Sequence, residues 1–206
     1  MMIEASQADT THKQIEIDGI DGCGKTTQCL MLADWWKENR GEARVVKELS
    51  STKLGRDIRT ILMGNYAISR AAEMNLFLAS KVELQYAVIS TLREANVQTI
   101  SDRGLGSFLT YFRSLDYTEA ELDAVISQHM PADYSPTVMY IDVDPTIAIA
   151  RTLARGDQGR FDTQGIEYYE RIRALYMDIS RQRGWTTIDG SGTPEDVNMQ
   201  IIEAIK

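Results

Sequence analysis

The segment Gly19–Thr26 has the sequence GIDGCGKT and fits the pattern G-x-x-x-x-G-K-[ST] of a phosphate-binding loop. Such a loop turns its backbone N–H groups inward around phosphate oxygens, and glycines leave room for that approach. The segment IEID before it is typical of a buried strand, and an apolar-periodic helical segment follows. The helix points its positive end at the anion. The chain therefore predicts a strand, a loop and a helix built around a nucleoside triphosphate.

Several side chains of this loop have expected roles. Lys25 is expected to bridge the β- and γ-phosphates, and the Thr26 hydroxyl is expected to bind Mg²⁺. Asp21 has two interpretations, a solvated loop acid or a hydrogen-bond partner for a sugar hydroxyl of an acceptor. Backbone contacts to the triphosphate, ATP in the simplest case, are predicted for Gly19, Asp21, Gly22, Cys23, Gly24, Lys25, Thr26 and Thr27.

Apolar runs and helical patterns alternate along the rest of the chain, which predicts an α/β fold of three layers. A central parallel five-stranded sheet would be flanked by helices. Residues 1–12 are expected to be a flexible lead-in, and 13–206 a single domain. The predicted strands are Lys13–Asp18, Arg44–Leu49, Val97–Ser101, Thr137–Val143 and Trp185–Ile188. The predicted helices include Lys25–Asn39 with Leu30, Ala33 and Trp35 or Trp36 buried, Leu54–Met63, Ser69–Glu94, Gly165–Arg183, one entered at Pro145 and one capped at Thr193.

Charge and composition exclude several classes of function. The formal net charge is −8, so a surface that coats DNA or RNA is disfavoured. No apolar run reaches the ~20 residues that cross a bilayer, and the first residues lack a secretion signal. We therefore expect a cytoplasmic protein without a membrane partner. The two cysteines and two histidines lack the spacing of a zinc site.

Five blocks in order make the chain resemble the thymidylate kinase family of P-loop kinases. The resemblance implies a P-loop kinase fold, ATP and Mg²⁺, and a nucleoside monophosphate acceptor, foremost dTMP. It also implies a homodimer through the helices of the second and third blocks. The blocks are EIDGIDGCGKTTQ, KELSSTKLGRDIRTIL (Lys47–Leu62), EMNLFLASKVEL (Glu73–Leu84), ISDRGLGSFLTYF (Ile100–Phe112) and YIDVDPTIAIARTLARGDQGRFD (Tyr140–Asp162).

The resemblance assigns the acceptor base to the third and fourth blocks. It places Phe77 against the base, although an aromatic core residue is the competing interpretation. Lys81 stands where the family has an arginine that hydrogen-bonds the base, and a solvated lysine is the alternative. Ser107 and Tyr111 would line the base and the sugar. Tyr111 beneath the ribose would exclude a 2′-hydroxyl, while ordinary core packing is the alternative.

The acceptor phosphate and the metal are assigned to the strand ends. By resemblance, Arg103 contacts the acceptor phosphate and Asp102 helps to organise Mg²⁺ beside Thr26. Lys47 stands where the family has an arginine near that phosphate. Gly104 replaces a larger family residue, which is expected to loosen that wall of the site.

A lid is predicted over about 151–164, with Gly156 and Gly159 as hinges. The family places a catalytic arginine either in the phosphate loop or in the lid, and this loop has none after Asp21. The resemblance therefore assigns catalysis to Arg151 and Arg160, and ATP binding to Arg155.

Three other functions remain open at this stage. A kinase for a modified or non-thymine nucleotide is favoured by Lys81, by Gly104 and by the altered second block, where Leu49-Ser50-Ser51 departs from the family. A P-loop ATPase or switch needs a further acidic strand end to position water, and Asp142 is the candidate. A binding protein without catalysis is disfavoured, because Lys25, Thr26, Asp102 and Arg103 are intact.

Overall fold

The computed structural model describes residues 13–64, 66–156 and 165–206, so the predicted lead-in 1–12 lies outside the described residues. The strands are β1 (Ile15–Asp18), β2 (Ala43–Lys47), β3 (Gln98–Asp102), β4 (Thr137–Asp142) and β5 (Thr186–Asp189). The helices are α1 (Lys25–Asn39), α2 (Lys53–Met63), α3 (Arg70–Glu83), α4 (Ser90–Glu94), α5 (Leu105–Arg113), α6 (Glu119–His129), α7 (Pro145–Arg155), α8 (Ile166–Arg183) and α9 (Pro194–Ala204). A π-helical segment, Leu84–Ile89, joins α3 to α4.

The five strands form one parallel sheet in the order β2-β3-β1-β4-β5, which confirms the predicted fold class. In the register, Ile17 of β1 is opposite Asp102 of β3, and Asp18 is opposite Tyr140 of β4. The carboxyl ends of the three central strands therefore lie side by side. Open α/β sheets bind their ligands at this edge, where the strand order reverses.

The central strand β1 has two different faces, because successive side chains of a strand point to opposite sides. Ile15 and Ile17 belong to the main apolar cluster, together with Cys29 and Leu32 of α1. Glu16 and Asp18 lie on the other face, and both are fully buried. Two buried acids on one face of a central strand need partners, since an unpaired buried charge is costly.

The apolar face of α1 is partly as predicted. Ala33 and Trp36 are buried as expected, but Leu30 is 53% exposed, and Cys29 and Leu32 are buried instead. The buried residues recur at i, i+3, i+4 and i+7 from Cys29, and Leu30 lies outside that stripe.

Most of the other element boundaries differ from prediction by one or two residues, as helix and strand ends commonly do. The predicted helix Ser69–Glu94 is continuous but contains the π-helical segment, which a 3.6-residue period does not reveal. Pro145 begins α7 and a capping box at Thr193 begins α9, as predicted. Within the described ranges, no helix combines the length and apolarity that a bilayer span requires.

Candidate active site

The phosphate loop follows β1 directly, and glycine sets its shape. Gly22 and Gly24 have φ angles of 83° and 104°, which side chains rarely adopt. A Cβ on Gly22 would lie 2.1 Å from the carbonyl oxygen of Ala148 in α7, so the loop is packed tightly against that helix. The Cys23 N–H donates to the Ile20 carbonyl within the loop.

Beyond the loop, α1 starts at Lys25 with no acidic residue in its first turn. Thr26 and Thr27 are exposed there. Amides at the start of a helix, together with the helix dipole, attract anions. Gly19, Gly22, Gly24 and the start of α1 thus lie together where the sequence predicts a phosphate cradle, and phosphate binding there stays a prediction.

Lys25 is 6% exposed and is folded back under the loop. Its Nζ donates to the carbonyl oxygens of Gly19 (3.0 Å) and Ile20 (2.7 Å) and lies 3.9 Å from the Asp21 carboxylate. The ammonium is therefore held at the centre of the loop. A bound triphosphate would exchange these carbonyl contacts for phosphate oxygens.

Asp102 ends β3 beside the start of α1. The Thr26 hydroxyl donates to its Oδ2 at 2.6 Å, and Lys47 Nζ donates to the same oxygen at 2.8 Å. Burial acts to raise the pKa of Asp102, but the hydrogen bonds from Lys47 and Thr26 hold it below its usual value. Its other oxygen, Oδ1, is buried and has no hydrogen-bond partner within the described part of the chain. That oxygen is available to a cation.

The donors at this point fit Mg²⁺. Mg²⁺ prefers oxygen ligands, and it is commonly held by one or two protein groups together with substrate phosphates and waters. The Thr26 hydroxyl and the Asp102 carboxylate supply two such oxygens. No cluster of three or more His, Cys, Asp or Glu able to hold a metal occurs in the ranges that the structure describes, so a complete protein cage is not present there.

Arg103 follows β3 in a left-handed conformation with φ 77°, which is uncommon for a residue with a side chain. Its guanidinium donates to the carboxylate of Asp21 and, at 3.1 Å, to the Ser107 hydroxyl. Burial acts to lower the pKa of Arg103, but the Asp21 carboxylate beside it raises the pKa above its usual value. Asp21 is thus not a solvated acid, because it connects the phosphate loop to Arg103.

The amino end of α5 is held by two acids that the sequence analysis did not single out. Asp18 accepts hydrogen bonds from the N–H groups of Gly106 (2.9 Å) and Ser107 (2.9 Å) and from the Ser107 hydroxyl. Glu16 accepts one from the N–H of Leu105 at 2.6 Å. The available signal was the alternation IEID, since acids at every second position of a buried strand all face one side.

Gly104 does not loosen the site, contrary to the prediction. A Cβ at this position would lie 2.2 Å from the carboxyl group of Glu16. The Glu16 side chain fills the space beside the glycine, and that explains why a larger residue is absent. The prediction was wrong because it considered residue 104 without its neighbour in β1.

The acceptor wall, which we define as Lys47, Glu48, Phe77, Lys81, Arg103, Ser107 and Tyr111, lies on the β2 and β3 side of the loop. The rings of Phe77 and Tyr111 have centroids 5.5 Å apart, and those of Phe77 and Phe112 are 5.8 Å apart. The Tyr111 hydroxyl donates to Glu73 at 2.8 Å, and that of Ser107 lies 2.9 Å from the Tyr176 hydroxyl. Phe77 therefore packs in an aromatic cluster, and its contact with a base stays a prediction.

Lys81 is buried, so the solvated interpretation was wrong. Its Nζ lies 3.4 Å from Glu48 and 5.9 Å from the centre of the Phe108 ring. Burial acts to lower the pKa of Lys81, but the carboxylates of Glu48 and Glu16 raise it. Burial raises the pKa of Glu48 even though Lys81 opposes the shift. One oxygen of Glu48, Oε1, is buried without a partner among the described residues.

Only the first part of the predicted lid is described. Arg151 Nη1 donates at 3.2 Å to the carbonyl oxygen of Gly190, which follows β5. Gly156 ends α7 with φ 69°, the left-handed conformation common after a helix. Arg160, Gly159 and the side chain of Arg155 lie outside the described residues.

Asp142, the acid that an ATPase would use, is engaged by other side chains. Arg173 of α8 binds both of its oxygens, at 2.7 and 2.8 Å, and the Tyr140 hydroxyl donates to it at 2.7 Å. Hydrogen bonds from Arg173 lower the pKa of Asp142. A carboxylate held in a bidentate pair is poorly placed to orient water, which weakens the ATPase interpretation.

Known proteins resemble this chain over nearly its whole length. The family model described as thymidylate kinase matches residues 17–201. A thymidylate kinase from Desulforapulum autotrophicum is 31% identical, covering 93% of this chain and 89% of that protein. One from Carboxydothermus hydrogenoformans is 28% identical, covering 92% and 94%. A probable thymidylate kinase from Pyrococcus abyssi is 29% identical, covering 93% and 95%. The matched range includes the loop and both strand ends of the site.

Proposed function

The protein belongs to the thymidylate kinase family, and we propose that it transfers the γ-phosphoryl group of ATP to dTMP, giving dTDP and ADP. One observation carries the proposal. The phosphate loop with Lys25 and the acceptor arginine Arg103 lie at adjacent strand ends, and Asp21 connects them. A phosphoryl group held by the loop therefore has a second anion-binding group beside it.

The reaction requires no strong general base. An oxygen of the acceptor monophosphate is already ionised near neutral pH, and it forms the new bond to the γ-phosphorus as the bond to the β–γ bridging oxygen breaks. Catalysis then consists of positioning and of neutralising charge. Lys25 acts on the donor phosphates, and Arg103 orients the acceptor phosphate after exchanging contacts with Asp21. Lys47 adds a positive charge on the same side.

We assign Mg²⁺ to the Thr26 hydroxyl and the Asp102 carboxylate. The unpaired, buried Oδ1 of Asp102 supports this assignment. When bound, the ion neutralises charge on the donor phosphates. Thr26 and Asp102 would hold the ion, and Lys47 would stay beside it, since Lys47 and Thr26 share the other oxygen of Asp102.

Three arginines are assigned to the lid by family resemblance. Arg151 and Arg160 stabilise the transferring group, and Arg155 binds ATP. In the structure Arg151 donates to the carbonyl oxygen of Gly190 after β5, and in this role it would exchange that contact for the transferring group. The predicted homodimer and the cytoplasmic location also belong to this proposal.

A second acceptor class has its own support. Lys81, the expected donor to the thymine base, lies in a buried ion pair with Glu48. If that pair persists with substrate bound, Lys81 is less free to donate to a thymine base than the arginine that the family has at this position. A kinase for a modified or non-thymine nucleoside monophosphate is therefore the alternative.

The experiment is ADP release from ATP with a panel of acceptors: dTMP, dUMP, a 5-substituted dUMP, dCMP, dGMP and UMP. We expect release that depends on dTMP and stops when EDTA removes Mg²⁺. Stronger release with another monophosphate selects the alternative. Release that is independent of any acceptor selects an ATPase and refutes both kinase proposals.

A further inference from the structure

Glu16 lies behind the acceptor site, and its carboxyl group accepts hydrogen bonds from three donors. Its side chain is fully buried on β1. Oε1 accepts hydrogen bonds from Gln14 (2.8 Å) and Tyr134 (2.9 Å), and Oε2 accepts one from the N–H of Leu105 (2.6 Å). Three donors from separate parts of the chain fix the carboxyl group in one orientation.

The backbone that Glu16 holds is the one that follows Arg103. Leu105 is the first residue of α5, and Gly104 is the turn between it and Arg103. Asp18 accepts hydrogen bonds from the N–H groups on either side of Leu105, those of Gly104 (3.2 Å), Gly106 and Ser107. Both acids therefore hold the peptide after Arg103: Asp18 binds it at Gly104, and Glu16 binds it at Leu105. An acid near the amino end of a helix is also favoured by the helix dipole.

Gly104 and Glu16 are sterically matched. A Cβ at 104 would lie 2.2 Å from the Glu16 carboxyl carbon and oxygen and 2.8 Å from its Cβ. Both distances are below any van der Waals contact, so only glycine fits while glutamate occupies position 16. The carboxyl group can approach Leu105 because residue 104 has no side chain.

From this geometry we propose that Glu16, with Gly104, is a positioning residue that fixes the conformation of Arg103 for the acceptor phosphate. Arg103 has φ 77°, a conformation that costs free energy and persists only when the neighbouring chain enforces it. Glu16 supplies part of that enforcement through Leu105. It does not contact substrate, and it acts through the peptide. The proposal rests on the proposed function, in which Arg103 binds the acceptor phosphate.

Glu16→Gln, assayed at pH 8 where a carboxyl group with a pKa of about 7 is mostly ionised, is the conservative test, because glutamine keeps the volume but brings an NH₂ group among three donors. With Arg103 displaced, we expect the KM for dTMP to rise roughly 10–100-fold, the range produced by small misplacements. The KM for ATP is expected to stay unchanged. Deoxythymidine, which has no phosphate, is expected to inhibit the variant and the wild type equally. Glu203→Gln, an exposed site in α9, is the matched control.

Steric matching gives a second test that does not depend on the first. Gly104→Ala is expected to raise the KM for dTMP more than Glu16→Gln does. In the double variant Glu16→Ala/Gly104→Ala the two 2.2 Å clashes with the carboxyl group are removed and only the 2.8 Å approach to the Cβ of residue 16 remains, so the KM is expected to fall part of the way back toward that of Glu16→Ala. Urea unfolding checks that each variant is folded.

The outcomes separate the two proposals. Wild-type protein that phosphorylates no monophosphate refutes the proposed function. An active wild type with unchanged dTMP KM in Glu16→Gln overturns the inference, as does equal weakening of dTMP, ATP and deoxythymidine binding. If Gly104→Ala is as harmful in the Glu16→Ala background as in the wild type, the matching is wrong.

Discussion

The phosphate loop and the acceptor wall are held in shape by different interactions. The loop depends on glycine conformations and on main-chain groups, and even Lys25 is bound by two carbonyl oxygens. The acceptor wall depends on side chains that are distant in sequence, such as Lys81 with Glu48. A main-chain site is specified by a short motif, whereas a side-chain network is specified only by the fold.

The loop should therefore fail when the Lys25 side chain is removed. For Lys25→Ala we expect kcat to fall at least roughly 10²–10³-fold, because the charge that neutralises the moving phosphoryl group is lost. ATP binding, measured by calorimetry with Mg²⁺, is expected to weaken too. Lys37→Ala, an exposed lysine in the same helix, is the control. Turnover like that of the wild type in Lys25→Ala contradicts the role.

The acceptor side should fail in a different way. Arg103→Ala is expected to lower kcat/KM for dTMP by roughly 10²–10³-fold, because a positioned charge next to the reacting phosphate is removed. ATP binding should be largely retained, because Arg103 contacts the phosphate loop through the Asp21 side chain and not through the backbone cradle. Arg181→Ala, an exposed arginine, is the control. Equal loss of ATP and dTMP binding would show that the two regions are not separable.

The buried charges of the acceptor wall are expected to matter for stability. Lys81→Met leaves Glu48 and Glu16 without their compensating cation, and we expect a loss of about 3–5 kcal/mol in the free energy of unfolding. In Lys81→Met/Glu48→Gln the uncompensated charge at 48 is removed, so the loss should be smaller. Urea unfolding measures both. A double variant no more stable than the single one contradicts this account of the pair.

The contrast explains what the sequence could predict. The loop, the parallel sheet and the ends of β1 and β3 follow from local patterns, because periodicity and glycine spacing are properties of short segments. The partners of Lys81 and Gly104 do not follow from local patterns. Glu48, the partner of Lys81, comes directly after β2, and Glu16, beside Gly104, lies in β1. Asp21 was ambiguous for the same reason: its ion pair joins residues that are 82 apart in the chain.

The titration of Glu16 gives the finest test of the contrast between the phosphate loop and the acceptor wall, because its carboxyl group lies among the buried charges next to Lys81. Burial raises its pKa from 4.5 to about 7, although Lys81 of α3 and the hydrogen bonds from Leu105 and Tyr134 oppose the shift. Asp18 on the same strand adds to it. Since the pKa of Glu16 is higher in the folded protein, the folded protein binds more protons than the unfolded chain between pH 4.5 and about 7. The stability contributed by neutral Glu16 is full below about pH 4.5 and is lost as pH rises through about 7.

The measurement is the free energy of unfolding of the wild type minus that of Glu16→Gln, taken across pH 4.5–8. Every other titrating group is present in both proteins, so the difference reports mainly on Glu16. A shift of this size corresponds to a fall of about 3 kcal/mol in the difference as pH rises. A difference that rises with pH would mean that Lys81 and the backbone N–H stabilise the carboxylate more than burial opposes it. The acceptor side would then be held by a full ionic network, and its contrast with the main-chain loop would be larger than the structure implies.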